Sequence, residues 1–343
     1  MKNRLTGRLS RKSRNVAMAA LSLVLVASVA RAEPFAQVSN RVVAWGDMKY
    51  DLPVTDALRT PGREVLAQVA AGDFHSLVLK SDGAVVAWGD NAFGQTSVPF
   101  FVNQKRAAEI AAGNIHSLAL LEDGTVASWG PAPGQYGDYG QCTVPSGLKG
   151  VVAVAAGAVH SLALRSDGTV AAWGANLNGQ CSVPAGLSDV VAIAGGMYHS
   201  LALKSDGTVV AWGDSRHSQT SVPPGLSNVV AIAAGGFHNL ALLSNGAVVG
   251  WGTYGLAQCN VPDDLTNVIA IATGDYHSLA LKRDGTVVAW GFDTSGQCDV
   301  PPGLVNVVGI AARGNHSMVL VREIQTPLRA SRPAPRRAPL SPY

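Results

Sequence analysis

The sequence predicts an all-β fold: a seven-bladed β-propeller with three-stranded blades, closed by pairing the N-terminal strand with the last blade. Two repeated features indicate this fold. Every tryptophan precedes a glycine, at intervals of 39 to 44 residues, and seven of the eight histidines recur at one equivalent position. A repeat of about 40 residues with such markers is typical of propellers and solenoids. The repeated residues are Trp45, Trp88, Trp129, Trp173, Trp212, Trp251 and Trp290, and His75, His116, His160, His199, His238, His277 and His316.

Each repeat predicts three short strands. In the clearest copy they cover Val190–Gly195, His199–Lys204 and Thr208–Gly213, which are rich in apolar and β-branched residues. The pair Asp206-Gly207 favours a tight hairpin between the second and third strands, because glycine readily adopts positive φ. A loop that ends in glutamine follows the Trp-Gly pair, and a Val-Pro pair comes next. Proline fits a strand end or a sheet edge.

The two ends of the repeat region each supply an incomplete blade. Arg41–Gly46 is a tryptophan strand with no repeat strands before it, and His316–Leu320 is a histidine strand with no tryptophan strand after it. Pairing them completes the seventh blade and removes exposed sheet edges. The alternative is a linear solenoid, which would need distinct capping repeats. The sequence shows none, so we expect a closed ring.

The chain divides into three predicted parts. Residues 1–32 join a basic leader to a 15-residue, mostly apolar run and end in Ala30-Arg31-Ala32, which predicts a signal peptide cleaved after Ala32. Residues 33–320 form the propeller, and the Pro- and Arg-rich residues 321–343 are expected to be a disordered tail. We therefore expect a secreted or periplasmic monomer with no membrane contact after cleavage. An uncleaved anchor is the alternative, although the apolar run is short for a membrane span.

The charge of the propeller region argues against a nucleic-acid partner. Residues 33–320 carry 14 basic and 22 acidic side chains, a net charge of −8, although the whole chain is formally +3. Nucleic-acid phosphates need a basic surface. An acidic body suits a basic or mixed-charge protein partner.

Features that recur in every blade are expected to be structural. Tryptophans bury a large surface and belong in the core or between blades. Seven imidazoles are too many for one metal ion, which takes about four ligands. We expect each histidine, with the serine after it, to satisfy buried backbone groups at the start of its strand. We expect no catalytic residue, metal site or cofactor.

The four cysteines follow the loop glutamine in their repeats. Equivalent positions on different blades lie apart unless they are close to the axis, and a disulfide needs Cα atoms within about 7 Å. We therefore expect four separate, half-buried thiols. They are Cys142, Cys181, Cys259 and Cys298.

The repeated units Ala-Gly-x-x-His-Ser-Leu-Ala-Leu, Asp-Gly-Thr-Val and Ala-Trp-Gly resemble the regulator of chromosome condensation repeat family over residues 41–320. Among its secreted members, the type II β-lactamase inhibitory protein is similar in its first Val-Val-Ala-Trp-Gly strand and in its Gly-Gln-x-x-Val-Pro loops. The resemblance implies seven three-stranded blades and binding through one face of the ring. The founding member is a guanine nucleotide exchange factor for a nuclear GTPase, and a signal peptide argues against that role here. Fold alone does not transfer function.

Binding is expected where the repeats differ, in the turn before each histidine and in the loop after each Trp-Gly pair. Aromatic and arginine side chains dominate interface energetics. The loop after Trp129 is five residues longer than usual and carries tyrosines flanked by glycine, which is typical of an adaptable binding loop. In the inhibitor, by resemblance, aromatics at these positions contact the enzyme. The candidate partner-binding residues are Phe74, Phe93, Tyr136, Tyr139, Tyr198, Arg216, Phe237, Tyr254, Tyr276 and Phe292.

The sequence favours a non-enzymatic protein-binding propeller, an inhibitor or a scaffold that acts on another exported protein. Three alternatives stay open. The first is a propeller that binds glycans or the cell wall, which would also use aromatic platforms. The second is a guanine nucleotide exchange factor, and the third is an enzyme whose active site is built from clustered acidic residues. Five aspartates would have to meet on one face of the ring for such an enzyme: Asp47, Asp73, Asp90, Asp214 and Asp275. Arg313, which replaces the usual glycine three residues before His316, is a departure that could reshape a face of the ring.

Overall fold

A computed structural model describes residues 37–47, 49, 65–252, 255 and 257–325. These residues form seven three-stranded antiparallel sheets. The strands are β1 (Gln37–Gly46), β2 (Leu66–Ala71), β3 (His75–Lys80), β4 (Val85–Gly89), β5 (Ala107–Ala112), β6 (Ser117–Leu121), β7 (Val126–Trp129), β8 (Val151–Ala156), β9 (His160–Arg165), β10 (Val170–Gly174), β11 (Val190–Gly195), β12 (His199–Lys204), β13 (Val209–Gly213), β14 (Val229–Ala234), β15 (His238–Leu243), β16 (Val248–Gly252), β17 (Val268–Thr273), β18 (His277–Lys282), β19 (Val287–Gly291), β20 (Val307–Arg313) and β21 (His316–Gln325).

The predicted fold class and the predicted closure are confirmed. Blades 1 to 6 are consecutive strand triplets that start at β2, β5, β8, β11, β14 and β17, and blade 7 has the order β1-β21-β20. Strand β1 pairs antiparallel with β21 from Gln37 opposite Gln325 to Gly46 opposite His316. The pairing extends beyond the predicted strand Arg41–Gly46. Strand β21 also continues five residues past residue 320, the expected end of the propeller. Ten residue pairs between β1 and β21 therefore close the ring.

The first strand of every blade lines a central channel of about 510 Å³. Alanines and branched aliphatic residues form most of this lining, because small side chains let seven inner strands approach one axis. The hydrophobic core lies between blades and repeats around the ring. In one such cluster, Leu201 and Leu203 of blade 4 pack with Val229, Ala241 and Trp251 of blade 5. Burial of apolar surface between neighbouring blades is therefore what stabilises the ring.

One helix interrupts the described β-structure, and the repeat pattern did not predict it. Helix α1 (Phe100–Lys105) follows Pro99 and connects blade 1 to blade 2. Val102 is fully buried, whereas Phe100 is 79% exposed. The helix ends at Arg106, whose φ of 63° lies in the left-handed region. Other blades have a short turn after the Val-Pro pair, and the longer segment here gives the chain room for one and a half helical turns.

Neither predicted terminal segment is fully within the described residues. The signal peptide at 1–32 and residues 326–343 of the predicted tail lie outside them. In the part of the chain that the structure describes, no helix has the length and apolar character needed to cross a membrane.

Candidate protein-binding face

The ring has two chemically different faces. One, which we call the loop face, carries the turns before the histidine strands and the loops after the Trp-Gly pairs. The backbone holds these together, because Asp90 N donates to Phe74 O and Asp214 N donates to Tyr198 O. The other, the hairpin face, carries the Asp-Gly turns, such as Asp206-Gly207 with Gly207 at a φ of 80°. The candidate binding residues that the structure describes all belong to segments of the loop face.

A ladder of buried side chains connects the blades beneath the loop face. At six blade junctions, Nε2 of the repeated histidine lies 2.6–3.1 Å from a Ser Oγ or Asn Oδ1 of the next blade. Burial lowers the pKa of these imidazoles to about 3 or 4, so they are neutral at pH 7. The expected bond to backbone groups of the same strand is replaced by a bond between blades. The histidines thus connect neighbouring blades at six of the seven junctions.

The tryptophans and loop glutamines complete this ladder. Trp129 Nε1 and Ser117 Oγ both donate to the carbonyl oxygen of Gln95, at 2.9 and 2.8 Å. The Gln95 side chain is buried and accepts from Phe93 N at 2.9 Å. Equivalent tryptophan bonds to a glutamine carbonyl recur for Trp45, Trp173, Trp212, Trp251 and Trp290. Each loop is thereby held at its base by the neighbouring blade while its tip stays free to vary.

The junction between blades 7 and 1 departs from this ladder. By ring symmetry, His316 Nε2 should bond to Ser76 Oγ, and Trp88 Nε1 should donate to a loop carbonyl. Among the described residues, these three buried atoms have no hydrogen-bond partner, and most of the loop after Gly46, which would supply the carbonyl, lies outside the described residues. A pocket of about 110 Å³ lies at this junction, lined by Ser76, His316 and the three carboxylates of Asp47, Asp73 and Asp275.

Arg313 lies across the loop-face end of the channel. Its Nε contacts Asp73 Oδ1 at 3.1 Å, and its terminal nitrogens reach Asn114 and the carbonyl oxygens of Ala156 and Gly195, each at 3.3 Å. A residue of blade 7 is thus bonded to blades 1, 2, 3 and 4. Arg313 is only 6% exposed. Arg313, which replaces the glycine of the repeat, therefore blocks the loop-face end of the channel like a plug.

Three buried carboxyls have raised pKa values. Burial raises the pKa of Glu109, in the channel wall, to about 8, although Val154 N donates to its Oε2 at 3.0 Å. Burial and the nearby Asp73 carboxylate raise the pKa of Asp275, an effect that Arg313 partly opposes. Burial also raises the pKa of Asp73. Sequence reasoning missed Glu109, because nothing in a repeat pattern shows that an inner-strand position faces a closed channel.

Four aromatic rings form a continuous cluster on the loop face. The ring centroids of His217 and Phe237 lie 5.0 Å apart, those of Phe237 and Tyr276 5.7 Å, and those of Tyr276 and Phe292 6.1 Å. The cluster, which we call the aromatic cluster, spans blades 4 to 6. His217 is the one histidine outside the repeat, and its place at the edge of the cluster could not be predicted from a loop position that does not recur. Tyr198 is half-buried in the same region.

Other candidate residues lie outside the aromatic cluster. Phe93 and Tyr136 lie 6.4 Å apart, and Tyr136 is 89% exposed. Tyr139 of the same long loop and Phe74 of blade 1 are also exposed. Tyr254 lies outside the described residues.

The five aspartates proposed for an enzyme do not all meet. Asp47, Asp73 and Asp275 line one pocket. Asp90 instead accepts from Gln95 Nε2 at 3.0 Å, and Asp214 forms two-pronged hydrogen bonds with the exposed guanidinium of Arg216. Within the described residues, no group of three or more His, Cys, Asp or Glu side chains is arranged to hold a metal ion.

The cysteines are separate thiols, as the geometry of a ring predicts. None of the four forms a disulfide, and three of them, Cys142, Cys181 and Cys298, are half-buried. Burial raises the pKa of each thiol to about 11 or 12. The thiols are therefore protonated and unreactive at neutral pH.

Comparison with known proteins identifies the family. Residues 52–298 match the family model described as the RCC1-like domain. The chain belongs to the RCC1-like domain family. The family that the repeated units indicated is thereby confirmed. A search of curated protein sequences found no match.

Several solved structures share the fold at low sequence identity. Prp20p from Saccharomyces cerevisiae is 21% identical, with a TM-score of 0.70, over 83% of this chain and 92% of that one. Human WBSCR16 is 21% identical, with a TM-score of 0.64, over 82% and 99%. The CR4 receptor kinase ectodomain of Physcomitrella patens is 24% identical, with a TM-score of 0.60, over 73% and 69%. Such identities show the fold alone.

The yeast protein is described as a binder of other proteins. The Prp20p structure was described together with its binding to Gsp1p and histones, and Prp20, the yeast RCC1, has also been solved bound to Kap60. These partners are those of the yeast protein.

Proposed function

We propose that this chain is an exported, non-enzymatic propeller that binds another exported protein through the aromatic cluster on its loop face. The observation that carries the proposal is the continuity of the cluster, in which His217, Phe237, Tyr276 and Phe292 contact one another across three blades. Contiguous apolar surface on a soluble protein marks an interaction site. Aromatic anchors on a rigid scaffold lose little conformational freedom when they bind.

The rigidity of the scaffold supports this choice. Beneath the loop face, the histidine ladder and the glutamine carbonyls hold each loop at its base. A partner that binds the tips therefore meets a surface that is already organised. The sequence-based net charge of −8 in the propeller favours a basic or mixed-charge partner.

Affinity capture from the exported fraction, followed by mass spectrometry, tests the binding proposal. The bait is the wild-type chain or the triple variant Phe237→Ala, Tyr276→Ala, Phe292→Ala. The matched control removes two exposed rings elsewhere, Phe100→Ala and Phe101→Ala in helix α1. That helix ends near the hairpin face, where Lys105 Nζ lies 2.9 Å from Asp123.

The wild type and the control should recover the same partner, and the triple variant should lose it. Equal recovery by the triple variant rejects the aromatic cluster as the binding surface. Binding to a glycan array with no captured protein would instead favour the glycan alternative. If a captured partner is an enzyme, its activity with and without the wild-type chain separates an inhibitor from a scaffold.

Export is tested separately by N-terminal sequencing of the chain from fractionated cells. The proposal expects Glu33 as the first residue and recovery outside the cytoplasm, because the signal peptide should be cleaved after Ala32. An intact N-terminus in the cytoplasmic fraction would refute export. That result would also bring back the exchange-factor alternative.

A further inference from the structure

The central channel is a cavity of about 510 Å³, and its lining comes almost entirely from the seven inner strands, each of which is described over its full length. Most of the lining side chains are alanine, valine and isoleucine. Arg313 blocks the loop-face end, and Val230, which is 44% exposed, lies at the hairpin-face end. Sites for small molecules have volumes of about 300–1,000 Å³ and mostly apolar walls. The described residues therefore enclose a cavity of that kind, which is reached from the hairpin face.

Glu109 is the one charged side chain of this cavity that has no counter-charge among the described residues. The lining contains two charged side chains, Glu109 and Arg313, and Arg313 pairs with Asp73. Glu109 is 8% exposed; its Oε2 accepts from Val154 N at 3.0 Å, and its Oε1 has no hydrogen bond to any described residue. Buried carboxylates are normally paired with a cation or fully hydrogen-bonded. One oxygen of Glu109 is therefore left for a ligand.

Blade 1 shows how a neutral side chain satisfies the same position. Gln68, the equivalent of Glu109, accepts from Ile110 N and donates to Ile110 O. Val154 is the equivalent of Ile110 in the next blade, so its carbonyl oxygen faces Glu109, and an ionised carboxylate has no hydrogen to donate to it. Glu109 Oε1 and Val154 O are thus two acceptors at one place in the channel wall. An ammonium group offers three N–H donors and the missing positive charge.

The carboxyl is costly at a position where a neutral amide fits. A buried carboxyl without a cation destabilises the fold more than the fully bonded amide of Gln68 does. Residues that break the local pattern at a cost in stability are typical of functional sites. The cost of Glu109 therefore supports a role in binding.

We propose that the channel binds a small primary amine with an apolar body, whose ammonium group pairs with Glu109 and donates to Val154 O. The hydrocarbon part then lies against aliphatic side chains of the lining such as Ile193 and Ile232, and its burial contributes to affinity. A cavity that is apolar except for one uncompensated carboxyl selects this combination over a neutral or an anionic molecule. The site lies inside the ring and is independent of the aromatic cluster on the loop face.

The proton of Glu109 gives this site a signature that can be measured. Burial raises the pKa of Glu109 to about 8, so the carboxyl of the empty channel is mostly protonated at pH 7. An ammonium ligand favours the ionised carboxylate, and binding should therefore release a proton. The strands that pack around Glu109, which are β2, β6 and β8, contain no charged residue. The released proton is therefore assigned to Glu109.

Isothermal titration calorimetry of the full chain with phenethylamine tests the proposal, and phenethyl alcohol serves as the uncharged probe of the same shape. At pH 8 the amine should bind about tenfold more tightly than the alcohol, or better, because only the amine carries the charge. Its affinity should rise about fivefold from pH 7 to pH 8, because the ionised fraction of a carboxyl with a pKa of about 8 rises from about a tenth to a half. Titrations at pH 7 in phosphate and Tris buffers, whose heats of ionisation differ, should show nearly one proton released for each amine bound.

Three variants locate the probe, and their melting temperatures establish that they are folded. Glu109→Gln should bind the amine about tenfold more weakly and lose the pH dependence, because the charge is gone. Ala194→Leu fills part of the channel and should weaken the amine and the alcohol alike. Glu122→Gln is the matched control, an exposed glutamate of the same blade outside the channel, and it should bind the amine as the wild type does.

Any of five results would overturn the inference: no binding of the amine at millimolar concentration, equal affinities for the amine and the alcohol, an affinity that does not change with pH, or wild-type binding of the amine by either Glu109→Gln or Ala194→Leu. The triple aromatic variant should bind the amine as the wild type does. The channel site and the protein-binding proposal can therefore fail separately.

Discussion

Glu109 is the residue whose replacement is expected to stabilise the ring most. Gln68 occupies the equivalent position one blade earlier, where its Oε1 accepts from Ile110 N at 3.0 Å and its Nε2 donates to Ile110 O at 3.1 Å. Glu109 forms only the first of these bonds, with Val154 N. The change Glu109→Gln should therefore copy an arrangement that the chain already contains.

The magnitude follows from the pKa of the carboxyl. Burial raises the pKa of Glu109 from an ordinary value of 4.5 to about 8. Below pH 4.5 the carboxyl does not change the free energy of unfolding, because it is protonated in both the folded and the unfolded state. Between pH 4.5 and pH 8 the free energy of unfolding falls by about 1.4 kcal/mol per pH unit, and above pH 8 it falls no further. At pH 7 the carboxyl should cost about 3 kcal/mol relative to a group that does not titrate. The new bond to Val154 O adds about 1 kcal/mol.

Thermal unfolding followed by circular dichroism between pH 4 and pH 9 measures both effects. Glu109→Gln should raise the melting temperature at pH 7 by roughly 8–16 °C, since the two effects sum to about 4 kcal/mol and 1 kcal/mol corresponds to about 2–4 °C in a domain of similar or slightly smaller size. The gain should shrink towards pH 4. Gln68→Glu is the matched reverse change and should destabilise the ring more as the pH rises. A gain that does not depend on pH, or a loss, would refute the buried-carboxyl explanation.

Three further changes test other parts of the structure. Trp129→Phe should cost about 1 kcal/mol more than Trp88→Phe in urea unfolding, because Trp129 Nε1 donates to Gln95 O whereas Trp88 Nε1 has no described partner; equal losses would contradict the role given to the ladder. Arg313→Ala should cost about 3–5 kcal/mol in the same assay, because it leaves the buried Asp73 carboxylate without its cation, and a loss below 1 kcal/mol would show that the plug is dispensable. The four cysteines should react with iodoacetamide at pH 8 about 100-fold more slowly in the folded chain than in urea, because burial raises the pKa of each thiol to about 11 or 12. Similar rates in the two conditions would mean that the thiols are accessible in the folded chain.

The sequence could predict the fold because the repeat is a physical unit. Each tryptophan strand needs two companion strands to bury it, so counting the strands located the split blade and its closure. The count could not show what lies between blades. The histidines were correctly placed at the start of their strands, but their partner is the serine or asparagine of the next blade, about 40 residues away. Helix α1 was missed because it occurs in one connection only.

The sequence could predict which segments contain the candidate site, but not which side chains in them contact one another. The turns before the histidines and the loops after Trp-Gly indicated Phe237, Tyr276 and Phe292, since these are places where the repeats differ. The sequence did not show that His217 joins them. Nor could it show that Asp275 shares a pocket with Asp47, because these residues are adjacent only once the ring has closed.

Site-specific photo-crosslinking measures most directly whether the loop face binds the partner. A benzoylphenylalanine at position 237 lies within the aromatic cluster, and the same group at position 100 lies in helix α1. Irradiation in the exported fraction should join a single partner to the chain labelled at 237 and none to the chain labelled at 100. Crosslinking from position 100 alone, or to the same extent from both positions, would contradict binding through the loop face.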